Sequence, residues 1–233
     1  MHFEILVEGT SDKTALWNLM KKILGDRGQP HTWTIHKHRG KGTIPATNSK
    51  PNPKDTTLLH NLSAKLRAYG ETMDENQAVI VLVDLDNESD CKLFKQHLIS
   101  LLNNCTKKPQ CLFRIAIEEI EAWYLGDKKA VKKAYPKAKD TFLNGYVQDS
   151  VCGTWELLAE ATYSGGLKAL TSKNKRSYKP LDLKKEWAAK ISPEMNIDNN
   201  VSPSFQCFCK GVRKLAKMPP LSIRPITNSE FNE

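Results

Sequence analysis

Two apolar runs that each end in carboxylates constrain this chain more than any other feature. Residues 3–7 read Phe-Glu-Ile-Leu-Val and run into Glu8-Gly9. Residues 79–83 read Val-Ile-Val-Leu-Val and run into Asp84-Leu85-Asp86. A short, nearly unbroken apolar run is the pattern of a strand buried on both faces, which belongs in a parallel sheet covered by helices. Periodicity predicts further strands over 32–38 and 111–117. It predicts helices over 12–24, 57–70, 89–103 and 118–134, the first carried by Ala15, Leu16, Leu19, Met20, Ile23 and Leu24. Strand and helix alternate, so the expected class is α/β, a Rossmann-like and mostly parallel sheet with helices on both faces.

Ligands of such sheets sit at the carboxyl ends of the strands. Glu8, Asp84, Asp86, Glu118 and Glu119 all fall just past predicted strand ends. Carboxylate oxygens suit Mg²⁺ or Mn²⁺, and these ions are used heavily on phosphate esters. In an extended chain Asp84 and Asp86 point to the same side and can face one cation. The competing reading is an acidic turn, since Asp84 to Asp90 also contains Glu88 and Asn87. Asp12 reads either as a helix N-cap or as a further ligand. Glu118 and Glu121 are spaced i, i+3 and would share a helical face with Glu119 pointing elsewhere. Complementing a helix dipole explains Glu118 and Glu119 well, and explains Glu121, lying between Ile120 and Ala122-Trp123, less well.

The charge is uneven. Residues 1–125 carry 16 Lys+Arg against 15 Asp+Glu, whereas residues 126–233 carry 19 against 11, so nearly all of the +9 surplus lies downstream of the acids. A polyanionic partner or a solvated basic surface both account for it. Candidate phosphate contacts are Arg39 and Lys41 in the Gly-flanked loop after the second strand, and Lys173, Lys175 and Arg176 further on. The Lys128–Lys139 stretch, with Tyr178 and Trp187 as base-stacking candidates, gives a weaker signal of the same kind.

The six cysteines include no CxxC pair, which argues against structural zinc and for reduced thiols. No run approaches a membrane span and the N-terminus lacks a signal-peptide pattern, so a cytoplasmic protein is expected. No Walker A motif appears, so the chain is not expected to bind ATP in a P-loop. The expected organisation is a metal-binding core over 1–126, a basic helical extension over 127–217, and an extended or disordered tail over 218–233.

Val7-Glu8-Gly9 after a first strand and Asp84-Leu-Asp86 after a third resemble the Toprim domain of topoisomerases, primases, recombination proteins and the OLD (overcoming lysogenization defect) nucleases. Glu119-Ile-Glu121-Ala-Trp123 is most similar to the OLD side. With Arg39-Gly-Lys41-Gly42, Asp90-Cys91 and Ser202-Pro-Ser204-Phe205, the chain resembles a stand-alone bacterial Toprim-like family of unknown function, often encoded beside an ABC/AAA-type ATPase. The resemblance implies a parallel four-stranded sheet. It implies one or two Mg²⁺ or Mn²⁺ ions held by Glu8, Asp84 and Asp86, with Asp12 and Glu121 at a second metal. It further implies a nuclease, more readily on DNA than RNA, acting as an anti-phage effector under an ATPase partner. A non-catalytic nucleic-acid-binding or ATPase-regulating module is the alternative, and nucleotidyl transfer a third. Whether the chain forms a homo-oligomer is left open.

Overall fold

The structure is a computed structural model that describes residues 1–46, 52–86, 88–149, 153–171 and 180–219. Strands form where the apolar runs predict them: β1 (His2–Val7), β2 (Thr32–Lys37), β3 (Gln77–Asp84) and β4 (Cys111–Ala116). They make one sheet in the order β2-β1-β3-β4, every neighbouring pair parallel. The register sets Leu6 beside Val81 and Val7 beside Lys37, so the strand ends that carry Glu8 and Asp84 lie at one edge of the sheet. The α/β reading with a four-stranded parallel sheet therefore holds.

Both faces of β3 are buried, which is why its sequence does not alternate. Ala78, Ile80 and Leu82 enter one apolar cluster, and Val79, Val81 and Val83 enter the other. Helices α2 (Leu58–Thr72) and α3 (Cys91–Asn103) cover the second face with Leu58, Leu62, Leu66, Phe94 and Leu98. Helix α1 (Thr10–Leu24) covers the first face, on the opposite side.

The C-terminal half supplies α4 (Glu121–Leu125), α5 (Lys128–Ala134), α6 (Asp140–Gly145), α7 (Thr154–Thr162), α8 (Gly166–Thr171), α9 (Pro180–Lys190) and α10 (Pro203–Leu215). These helices share the α1 side of the core: Leu183, Trp187, Phe205 and Phe208 belong to one cluster with Leu16, Leu19 and Ile5. Arg114 on edge strand β4 donates to the Cys207 carbonyl at 2.9 Å, and a Cβ on Gly211 would come within 2.3 Å of that guanidinium. A glycine there lets α10 lie directly over β4.

One expectation needs correction. The helix expected over 118–134 is broken. Glu118 is left-handed at φ +63°, α4 starts only at Glu121, and Asp127 caps a separate α5 by accepting from the Ala130 N–H at 3.0 Å. An Asp favours such a cap over continuing the helix, and local side-chain capping overrides the apolar periodicity. Of the expected tail over 218–233, residues from 220 onward lie outside those described.

Candidate functional site

Strand order decides where a site can form. The chain leaves β1 toward β2 on one side and leaves β3 toward β4 on the other. This reversal between neighbouring strands opens a crevice at their carboxyl ends, the usual ligand position in open α/β sheets. Glu8 and Asp84 stand at its two lips. The Asp84 N–H donates to Glu8 Oε1 at 2.8 Å, so the Glu8 carboxylate spans the β1/β3 seam.

Asp12 is not the N-cap of α1. The helix begins at Thr10 after Gly9, and Asp12 occupies its third position. From there Oδ2 accepts from the Gly9 N–H at 2.8 Å and Oδ1 accepts from Ser11 Oγ at 3.2 Å. The cap is made from inside the first turn, which holds a buried carboxylate beside Glu8.

Asp86 does not follow Asp84 as an extended strand would place it. The Leu85 and Asp86 N–H groups donate to the Ala116 and Glu118 carbonyls at 2.9 Å, and Asp86 turns left-handed at φ +50°. Asp86 faces outward, where Lys41 Nζ lies 3.3 Å from its Oδ2 and 3.0 Å from the Leu85 carbonyl. Lys41 also sits 4.7 Å above the Phe94 ring. It is a tether across the crevice mouth. Arg39 is exposed, and no hydrogen bond or ion pair holds its guanidinium among the described residues. The loop between them is fastened to β1 through Gly40 N–H to the Glu8 carbonyl at 2.9 Å. Lys173, Lys175 and Arg176 lie outside the described residues.

Glu118 and Glu121 do not form the expected helical pair, because Glu118 precedes the helix. The acids brought together are Glu119 and Glu121, and what joins them is Lys184 from α9. Its Nζ lies 2.8 Å from Glu119 Oε1 and 3.6 Å from Glu121 Oε2. Glu121 is 1% exposed, and neither carboxylate oxygen receives a hydrogen bond among the described residues. Tyr124, on the same face of α4 at i+3, has a buried hydroxyl that likewise makes no hydrogen bond among those residues. Trp123 turns the other way, donating to Ser204 Oγ at 2.9 Å and packing on Phe205. The Glu-Ile-Glu-Ala-Trp and Ser-Pro-Ser-Phe segments thus meet in space.

The acids act on one another. Burial pushes Glu8 up to about 8, Asp12 and Asp86 add to the rise, and the Asp84 N–H and Lys41 oppose it. Burial holds Asp84 well above the usual carboxylate range, followed by Glu8, Asp12 and Glu121. Burial also raises Asp12, against the Gly9 N–H. Glu121 is pushed up to about 7 by burial, with Lys184 pulling down and Glu119 and Asp12 pushing up. Burial lowers the Lys184 value, but Glu121 and Glu119 overcome it and keep the ammonium charged. Glu8, Asp12, Asp84 and Glu121 therefore form an inner set, with Asp86 and Lys41 an outer pair that reaches it through Glu8.

Sequence reasoning missed Lys184 and Tyr124. Lys184 had a readable signal: it opens an i, i+3, i+4, i+7 stripe completed by the buried Trp187, Ala188 and Ile191, a core position occupied by a cation. Trp187 itself is fully buried and donates to Thr162 Oγ1 at 3.0 Å, so it is a core residue and not a stacking platform. Lys132 and Lys133 pair with Asp140 and Glu194 at 3.0 and 2.5 Å.

The family model for a domain of unknown function, DUF4276, matches residues 7–213. The chain belongs to the DUF4276 family. No curated protein and no solved structure matches it. The match runs from the last residue of β1 into α10, so the crevice acids and Lys184 all lie within the DUF4276 unit.

A divalent cation fits the chemistry of the inner set, whose donors are all oxygens and whose Glu121 carboxylate is buried without a hydrogen bond from the described residues. Among the described residues, however, no three acidic, His or Cys side chains are gathered as a ready coordination sphere. Of the five carboxylates expected at one or two cations, Glu8, Asp12, Asp84 and Glu121 form the inner set, and Asp86, where the chain turns, reaches it through Glu8. No helix among the described residues is long and apolar enough to cross a membrane.

Proposed function

We propose that this protein is a Mg²⁺- or Mn²⁺-dependent nuclease of Toprim type that hydrolyses nucleic-acid phosphodiesters. We further propose that it works in the cytoplasm as an anti-phage effector controlled by an ABC/AAA-type ATPase partner. One observation carries the reading: Glu8 and Asp84 from adjacent strands face each other at the sheet's switch point, with Asp12 close enough to raise the pKa of both and Glu121 close enough to raise that of Asp84. A bound cation would supply Lewis-acid polarisation of the phosphoryl group. Glu8, Asp84, Asp12 and Glu121 would hold it, and Asp86 would join from the mouth.

The rest of the work falls to the chain. Glu8 would meet the cation as a carboxylate, so the proton that burial holds on it up to about pH 8 leaves when the cation binds. Lys184 keeps Glu119 and Glu121 in place from behind. Arg39, exposed beside the crevice, orients a phosphate. The test is cleavage of plasmid DNA and tRNA with Mg²⁺ or Mn²⁺, with Glu8→Ala and Asp84→Asn as comparisons. Loss of cleavage by at least about a hundredfold is expected in each; equal cleavage by wild type and Glu8→Ala removes the assignment.

The absence of a ready coordination sphere among the described residues favours a second reading, a binding or ATPase-regulating module that does no chemistry. It predicts metal-independent nucleic-acid binding and no cleavage even with the ATPase supplied.

A further inference from the structure

Two clefts, each of about 490 Å³, open on the β2 edge of the sheet and share Lys13 and Lys37 in their walls. They form one groove with two ends. One end is bounded by Trp17, Asn18, Ala189 and Pro193. The other is bounded by His36, His38 and Lys65.

Trp17 is 42% exposed, although a Trp of this size is usually covered. Its ring is already held in place: it meets the buried Trp33 edge-on at 6.4 Å between centroids, and Lys21 Nζ lies 5.8 Å from it. Lys13, Trp17 and Lys21 are spaced by four along α1 and form one outward stripe. Among the described residues, Lys37 Nζ donates to the Thr10 hydroxyl at 3.2 Å, and no carboxylate pairs with Lys13 or Lys37. The one acid among the described wall residues, Asp55, is taken up by the Thr57 N–H and hydroxyl at 2.9 and 2.6 Å. The groove is therefore a basic channel with a fixed aromatic platform.

Its position ties it to the crevice. Lys13 follows Asp12 directly, Lys37 is the register partner of Val7, and neighbouring strands lie about 4.8 Å apart. We infer that this groove binds single-stranded nucleic acid, with phosphates on Lys13 and Lys37 and an unpaired base stacked on Trp17, and leads the strand to Glu8. This rests on the nuclease reading for its purpose but not for the binding. A base within a duplex cannot present its face to Trp17, which is why a single strand is the occupant. Each cleft falls in the size range of sites for small organic groups such as a nucleoside.

The experiment is fluorescence anisotropy of the full chain with labelled oligo-dT, oligo-U and a duplex of equal length, in EDTA so that nothing is cut. The single strand should bind more tightly than the duplex. Trp17→Ala should weaken strand binding by about 5- to 100-fold, the loss of one base–aromatic stack. Trp17→Phe should retain most of it. Lys13→Gln with Lys37→Gln should reduce the slope of log K against log salt by roughly 1.4, from two phosphate contacts. Circular dichroism checks that each variant folds. Wild-type affinity in Trp17→Ala, or a duplex bound as tightly as the strand, overturns the inference. Trp17-dependent binding without cleavage in Mg²⁺ or Mn²⁺ leaves the groove standing and removes the nuclease. Cleavage with Trp17-independent binding does the reverse.

Discussion

Replacing Glu121 by Gln should stabilise this protein in alkaline conditions, although Glu121 is a buried member of the acidic cluster. The folded-state value of Glu121 is raised from 4.5 to about 7, chiefly by burial. Between those two pH values the folded chain keeps a proton that the unfolded chain has released. Stability is therefore fully present below pH 4.5 and is lost as pH rises through 7. A rise of that size, at about 1.4 kcal/mol per pH unit, costs about 3 kcal/mol once the group is ionised. Gln has the same shape and cannot ionise, and Lys184 keeps Glu119 as a partner at 2.8 Å.

The assay is urea denaturation of wild type and Glu121→Gln at pH 4.5 and pH 8.5, in EDTA. The difference between the two proteins should move by about 3 kcal/mol in favour of Glu121→Gln from the lower to the higher pH. A difference that stays constant across that range refutes the reasoning, because Glu121 would then not be a strained acid. A gain in stability with a loss of cleavage is the expected signature of a residue kept for function.

Mn²⁺ affinity, read by calorimetry, should rise steeply between pH 6 and 9, because Glu8 near 8 and Glu121 near 7 must both release protons to bind; a flat profile counts against these ligands. Gly42→Ala should cost about 2–4 kcal/mol, seen as a lowered thermal midpoint, since the residue is left-handed at φ +67° and a Cβ would fall 1.9 Å from Thr57 Oγ1. An unchanged midpoint would show that Gly42 is not packed against Thr57.

How much was legible in the sequence follows from which interactions are local. The apolar runs ending at Val7 and Val83 identified β1 and β3, because a strand buried on both faces leaves an unbroken pattern in its own residues. Glu8 and Asp84 were legible for the same reason: a charge that ends such a run has to stand at the sheet edge. Asp86 was misread because its orientation is set by the Glu118 carbonyl and Lys41, both more than thirty residues away. Glu118 was placed in a helix that starts three residues later, since the left-handed turn that delays it leaves no apolar signature. Trp17 and Trp187 show the same limit. Both are single aromatics on amphipathic helices, and only the docking of α9 on α1 decides that Trp187 is covered while Trp17 is not.

By itself, then, the sequence determined the alternation of strands and helices, the burial of the sheet on both faces, and the acids at its carboxyl edge, all of which are properties of short segments. The tertiary structure alone decided the strand order that sets Glu8 against Asp84, the separation of Asp86 from the inner acids, and the arrival of Lys184 from a helix some sixty residues beyond Glu119 and Glu121. Those outcomes depend on which distant surfaces exclude water from each other, and no window of neighbouring residues contains that information.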